Sequence, residues 1–303
     1  MSVRTADPSS FESEPGRPLA LRAGASLLHS SNVFWLLGCL VLVVAGVAGV
    51  LIQVVPSLQH LYMNENLVAT FQPLFSPGHI LGTDNLGRDM FWQLVGGIGI
   101  SLCVGIGVSL ISVVLGLVVG IFGGFFGQAA DAVTNVAVDV TWAFPAILLA
   151  VIFAGSIGPS LTTVVLALGL TNWAGFARIV RGEVLSLRER EFVSAARVLG
   201  VPKVIISMRH FVLNILPVTL VMIVFYISNA IIGEAGLSFL GFGVQPPMPS
   251  LGLILTTGRE YLYQTPWMVL LPGAVLALTV LFLNSLGDHL RDVVDPSGRV
   301  QRR

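Results

Sequence analysis

The side chains able to do acid–base, nucleophilic or metal chemistry are few and scattered. The histidines (His29, His60, His79, His210 and His289) stand far apart, none paired at the spacing of a metal site. The two cysteines, Cys39 and Cys103, lie in apolar runs and read as packing residues, with no disulfide framework or metal spacing. Lys203 is the sole lysine and lies in "GVPKVI". A phosphate-binding GxxxxGK[ST] loop is therefore impossible anywhere in the chain, which excludes ATP binding through a loop of that kind. No nucleophile–base–acid set is visible. Four acids and one arginine remain as candidates. Asp139 interrupts an otherwise uncharged run; an acid there either serves a pathway or pairs with a basic residue near a membrane surface. Asp84 and Arg88, four apart and followed by Asp89, are spaced to pair on one helical turn, a structural clamp in preference to a substrate contact. Glu234 opens a loop, where it either faces the mouth of a pathway or caps the loop.

These residues are positioned by an unusually apolar chain. Of 303 residues 54% are hydrophobic and only 11% charged, where a soluble domain carries about a quarter. That shortfall, with zero net charge, indicates an all-α polytopic membrane protein and gives no basic balance for nucleic acid. Apolar runs at 34–55, 98–126, 132–154, 160–177, 211–233 and 266–287 reach or approach the ~20 residues that span a bilayer, which predicts six transmembrane helices. The uncharged run 235–258 is excluded as a seventh. It contains Pro246, Pro247, Pro249 and several glycines, and unpaired backbone is not left in hydrocarbon. It reads as a folded loop at the membrane surface. Residues 1–30, rich in Ser, Pro, Glu and Arg, read as a mobile tail, and the span after it is too long for a signal peptide. The resulting division is a tail over 1–30, a first span over 31–56, an extracytoplasmic segment over 57–96, a transmembrane domain over 97–288 with a loop at 181–209, and a tail over 289–303.

Charge sets the orientation. Arg4, Arg17 and Arg22 lie in the N-terminal tail, Arg178, Arg181, Arg188, Arg190, Arg197, Lys203 and Arg209 around the central loop, and Arg291, Arg299, Arg302 and Arg303 in the C-terminal tail. The opposite side has Arg88 and Arg259 alone. The positive-inside rule then places both termini and the central loop in the cytoplasm.

That loop contains "SLREREFVSAARVLGVP", Ser186 to Pro202. Ser186 and Glu189 have capping-box spacing, which predicts a helix from Leu187. Gly200 suits the left-handed position that closes a helix, and Pro202 forbids its continuation. Phe192, Ala195, Ala196 and Leu199 share one face; Arg188, Arg190 and Glu191 lie mostly elsewhere. A short amphipathic helix of this kind either lies on anionic lipid or docks in a groove of a soluble partner. On the second span Gly116, Gly120 and Gly124 recur every four residues, a stripe that lets helices pack closely, within this bundle or against another subunit.

"EFVSAARVLG" followed by "RHFVLNILP" resembles the cytoplasmic signature loop of bacterial ABC importer permeases, Glu-Ala-Ala, three residues, then Gly. Ala195, Ala196 and Gly200 match, and Ser194 stands in place of the glutamate. "LGTDNLGRDMFWQLVGGIGISL", "EAGLSFLGFGVQPPMPSLGLIL" and "LGDHLRDVVDPSGR" are similar to segments of the C-type permeases of dipeptide and oligopeptide importers. The four segments occur in matching order over residues 75–299.

The resemblance implies a type I ABC importer permease fold in a bacterial plasma membrane. It implies a homologous second permease, two ATPase subunits that carry the ATP and Mg, and an extracytoplasmic substrate-binding protein, with no cofactor or catalysis in this chain. Ser186, Glu189, Glu191, Phe192, Ser194, Ala195, Ala196, Arg197, Leu199 and Gly200 fall on the family's coupling helix, which moves with the ATPases and drives alternating access. The cargo implied is a di- or oligopeptide; nickel and glutathione importers belong to the same branch. Two rivals predict other features. An ion-coupled secondary transporter calls for ionisable groups at mid-membrane, and a membrane-embedded enzyme for clustered His, Asp or Glu.

Overall fold

The computed structural model describes residues 30–294. The two tails, with Arg4, Arg17, Arg22, Arg299, Arg302 and Arg303 and the end of the "DPSGR" segment, lie outside the described residues. The described chain is almost entirely helical, in keeping with an all-α membrane protein. In order it forms α1 (Ser30–Val54), α2 (Met90–Phe125), α3 (Gln128–Trp142), α4 (Ala146–Ile157), α5 (Leu161–Leu187), α6 (Glu191–Val198), α7 (Val212–Phe239), α8 (Leu251–Arg259) and α9 (Trp267–Val294). Single helical turns at His60–Met63 and Lys203–Ile206 and a π turn at Ser207–Phe211 connect them. Five of the described helices are long and apolar enough to cross a membrane, and six if the bent pair α3–α4 forms one span.

That bent pair corrects the reading of 132–154 as one continuous span. α3 and α4 meet at 79°. The residue before a proline is pushed out of helical geometry, and here Phe144 precedes Pro145, which caps α4. Other ends shift as well. α2 begins at Met90, inside the segment read as extracytoplasmic, because Asp89 caps it by accepting from the N–H groups of Phe91 and Trp92. α5 runs on to Leu187 and α9 to Val294. The run 235–258 is only partly loop: α7 extends to Phe239, and Ser250 caps α8 by accepting from Leu253 N.

The core lies along α2, which packs on α1, α5 and α7. Glycine permits the closest of these approaches. A Cβ on Gly116 would stand 2.6 Å from the ring of Phe176, one on Gly120 2.7 Å from the Ala177 carbonyl, and one on Gly124 2.7 Å from Val184. The stripe is thus filled by α5 of the same chain.

Candidate functional site

At the end of the bundle where α2 finishes and α7 begins, α6 stands between two spans. Arg190 enters it in extended backbone, Glu191 occupies its first turn and Arg197 its last, each favourable to the helix dipole. The start differs from the capping-box reading. Ser186 lies inside α5, whose Val180 and Val184 are buried in the core and hold that helix intact past Ser186. The stop is a Schellman motif: Val201 N–H donates to Ala196 O and Gly200 N–H to Arg197 O, both at 3.0 Å. Gly200 has φ +74°, and nothing lies within 4 Å of where its Cβ would be. Its requirement is therefore conformational only.

α6 has two faces, and they divide differently from the single stripe read off the sequence. Val193 and Ala196 point inward, into a cluster with Phe125 of α2, Val184 of α5, Ile206 and Phe211. Fully burying a valine is worth about 1.5–3 kcal/mol, so α6 is fastened to the bundle. Phe125 and Phe211 meet edge to face at 4.7 Å, and the Arg197 guanidinium lies over the Phe125 ring at 5.1 Å. Outward stand Phe192, Ser194, Ala195, Val198 and Leu199, with Glu189 and Glu191; Val198 and Leu199 are more than 80% exposed. Ala196 thus leaves the predicted face, and Val193 and Val198, unremarked in the sequence, define the two sides. A paired Asp131–Arg181 bridge ties α3 to α5 beside it, and Arg188 lies 3.9 Å from Glu189.

The other end of the bundle holds a buried polar network. Asp84 is buried and accepts from Arg88 N (2.8 Å), Leu86 N (2.9 Å), Arg88 Nε (2.7 Å) and Gln93 Nε2 (2.8 Å). The pair forms across a turn made by Gly87 at φ +72°, not along a helix as the spacing of four suggested. Asp89 adds a 2.7 Å contact with His79 to its capping role. Glu234 is not at a loop mouth. It lies within α7, fully buried, accepting from Ser238 Oγ at 2.6 Å and Ser250 Oγ at 2.7 Å, while its Oε2 has no partner. The carboxylate joins the end of α7 to the start of α8.

Between these ends, a cleft of about 550 Å³ opens where α3 breaks into α4, walled by α5 and α7. Thr141, Trp142, Asn172, Tyr226 and Asn229 line it. Asp139 is exposed beside it and accepts from Arg178 Nη2 at 2.9 Å; the same guanidinium lies over the Trp142 ring at 4.0 Å. Asn172 and Asn229 stand in the sequence as amides within apolar runs, the one local signal that points to this cleft.

Residues 112–300 match the family described as binding-protein-dependent transport system inner membrane component. The dipeptide transport system permease DppC of Alkalihalophilus pseudofirmus is 38% identical over 221 residues, 73% of each chain. The nickel transport system permease NikC of Escherichia coli K12 is 38% identical over 225 residues, 74% of this chain and 81% of that one. In structure the chain is similar to a solved subunit of the inward-facing MetNI methionine ABC transporter. The TM-score is 0.55 at 22% identity, over 67% of this chain and 97% of that one.

Proposed function

The chain belongs to the binding-protein-dependent transport system inner membrane components, as a multi-pass permease subunit of an ABC importer, and from that premise we propose that its cargo is a di- or oligopeptide and that α6 is its contact with the motor. The observation that carries the docking reading is the two-sided helix. One face is fastened in the core by Val193 and Ala196, and the other presents Val198 and Leu199 bare, with Phe192 half-exposed against the His210 ring. A surface of this kind suits the helix-in-groove mode of recognition. Because α6 is packed on residues from α2, α5 and the start of α7, a push on it reaches those helices as a rigid-body displacement.

In this reading the chain pairs with a homologous second permease, two ATPase subunits bind ATP and Mg, and an extracytoplasmic binding protein delivers the cargo. The chain performs no catalysis, and both termini and α6 lie in the cytoplasm, as the distribution of arginines supports. With Ser194 in the motif's acidic position, the contact rests on the apolar face and on the small Ala195. The 38% identity to a nickel permease favours a second cargo, so the test compares both. Full-length protein is expected to co-purify in mild detergent with ATPase subunits and a second permease. The reconstituted complex with its binding protein is expected to import a tripeptide on ATP addition, with no nickel uptake. An active transporter formed by this chain alone would overturn the assembly, and nickel uptake without peptide uptake would overturn the cargo.

A further inference from the structure

Counted along its helices, the cleft at the α3–α4 break lies about halfway through the bundle. Asn172 is eleven residues along α5 from Leu161, and Asn229 is ten residues from Phe239 at the same end of the bundle. At 1.5 Å per residue both amides are about 15–17 Å in, half of a ~30 Å hydrocarbon core. Irregular backbone at that depth is tolerated where it is buried in protein or lines a water-filled cavity, and the Ala143–Pro145 break borders this one.

The lining itself is neutral, with no charged residue. Asn172 and Asn229 each donate an N–H to the carbonyl four residues back in their own helices, at 2.9 and 3.0 Å. Each keeps a second N–H and a carbonyl oxygen unspent. Thr141 and Tyr226 add hydroxyls, and Trp142 and Phe144 add flat apolar walls. Donors and acceptors of amide type, without charge, match a peptide main chain and give no preference among charged side chains. The volume is of the size that holds small ligands.

Resting on the permease reading above, we propose that this cleft is the chain's share of the translocation path and that Asn172 and Asn229 hold the cargo by its backbone amides. The test uses the full complex in proteoliposomes, in a background with Cys39→Ala and Cys103→Ala. Asn229→Cys and Thr141→Cys are expected to react with a membrane-impermeant cationic thiol reagent and to lose transport on reaction. Val44→Cys, at an exposed apolar site halfway along α1, is expected to stay unreactive. Separately, KM is measured for a tripeptide and for its backbone N-methylated analogue. In Asn229→Leu and Asn172→Leu the ratio of the two is expected to shrink by about tenfold, the weight of one hydrogen bond. The binding protein is common to all preparations, so its own preference cancels. Thr141→Val serves if either asparagine variant fails to assemble. A Cys at 229 as inert as one at 44, or an unchanged ratio, would overturn the proposal. Failure of the parent complex to import any peptide would overturn the peptide cargo here and above, while the labelling still reports whether the cleft is an aqueous path.

Discussion

Glu234 spends one carboxylate oxygen on two hydroxyls and leaves the other unpaired. Glu234→Ala removes the acceptor of the Ser238 and Ser250 hydroxyls in a buried site. A loss of about 1–3 kcal/mol is expected, read as a lower melting temperature of the detergent-purified complex. Glu234→Gln keeps an acceptor oxygen in place and is expected to lose less; equal losses in the two variants would refute this role. Only part of the arrangement is legible in the sequence. Asp84 and Arg88 announce their pairing by spacing, and they do pair, but a turn stabilised by Gly87 brings them together where a helix was expected. Glu234 stood out as an acid, yet its partner Ser250 is sixteen positions away, across a loop. A local reading reaches Ser238, four residues on, but not Ser250, and so puts Glu234 at the loop's edge.

Among elements, α6 shows which signals carry. Gly200 reads as a stop because only glycine, or asparagine at modest cost, adopts positive φ without strain. Since nothing crowds the site, Gly200→Val is expected to cost about 1–2 kcal/mol through backbone conformation alone and to reduce peptide-stimulated ATP hydrolysis. Gly200→Asn is expected to retain most of it. If both substitutions behave alike, the left-handed stop is not what matters. The long spans are legible for a simple reason: a bilayer demands about twenty apolar residues in a row. The break between α3 and α4 is not legible, because proline gives an ambiguous sign. Pro217 and Pro272 sit inside α7 and α9 without ending them, whereas Pro145 ends one helix and begins another. Phe144, just before Pro145, lines the cleft, a tertiary setting that a local reading does not reach.

In the whole molecule the parts fall into three levels: a buried polar network at one end, a neutral cleft halfway, and a fastened helix with a bare face at the other end. Connection between the last two runs through the π turn at Ser207–Phe211. Ile206 and Phe211 are both fully buried in the cluster that receives α6, although residues five apart on a regular α-helix point about 140° from each other. The wider turn brings them to the same side. The chain therefore carries one residue more than a straight helix needs, and that surplus sets the rotational phase of α7, with Tyr226 and Asn229, against the α6 end of the bundle. Removing Met208, which is exposed, would let the helix close regularly and turn one end against the other by about 100°. A deletion mutant that still inserts and binds its ATPases, but hydrolyses ATP without moving peptide, is the expected result. Normal transport would show that the phase is not fixed there. The π turn then acts as a keyway between shaft and gear, and the length of this segment matters more than the identity of its exposed side chains.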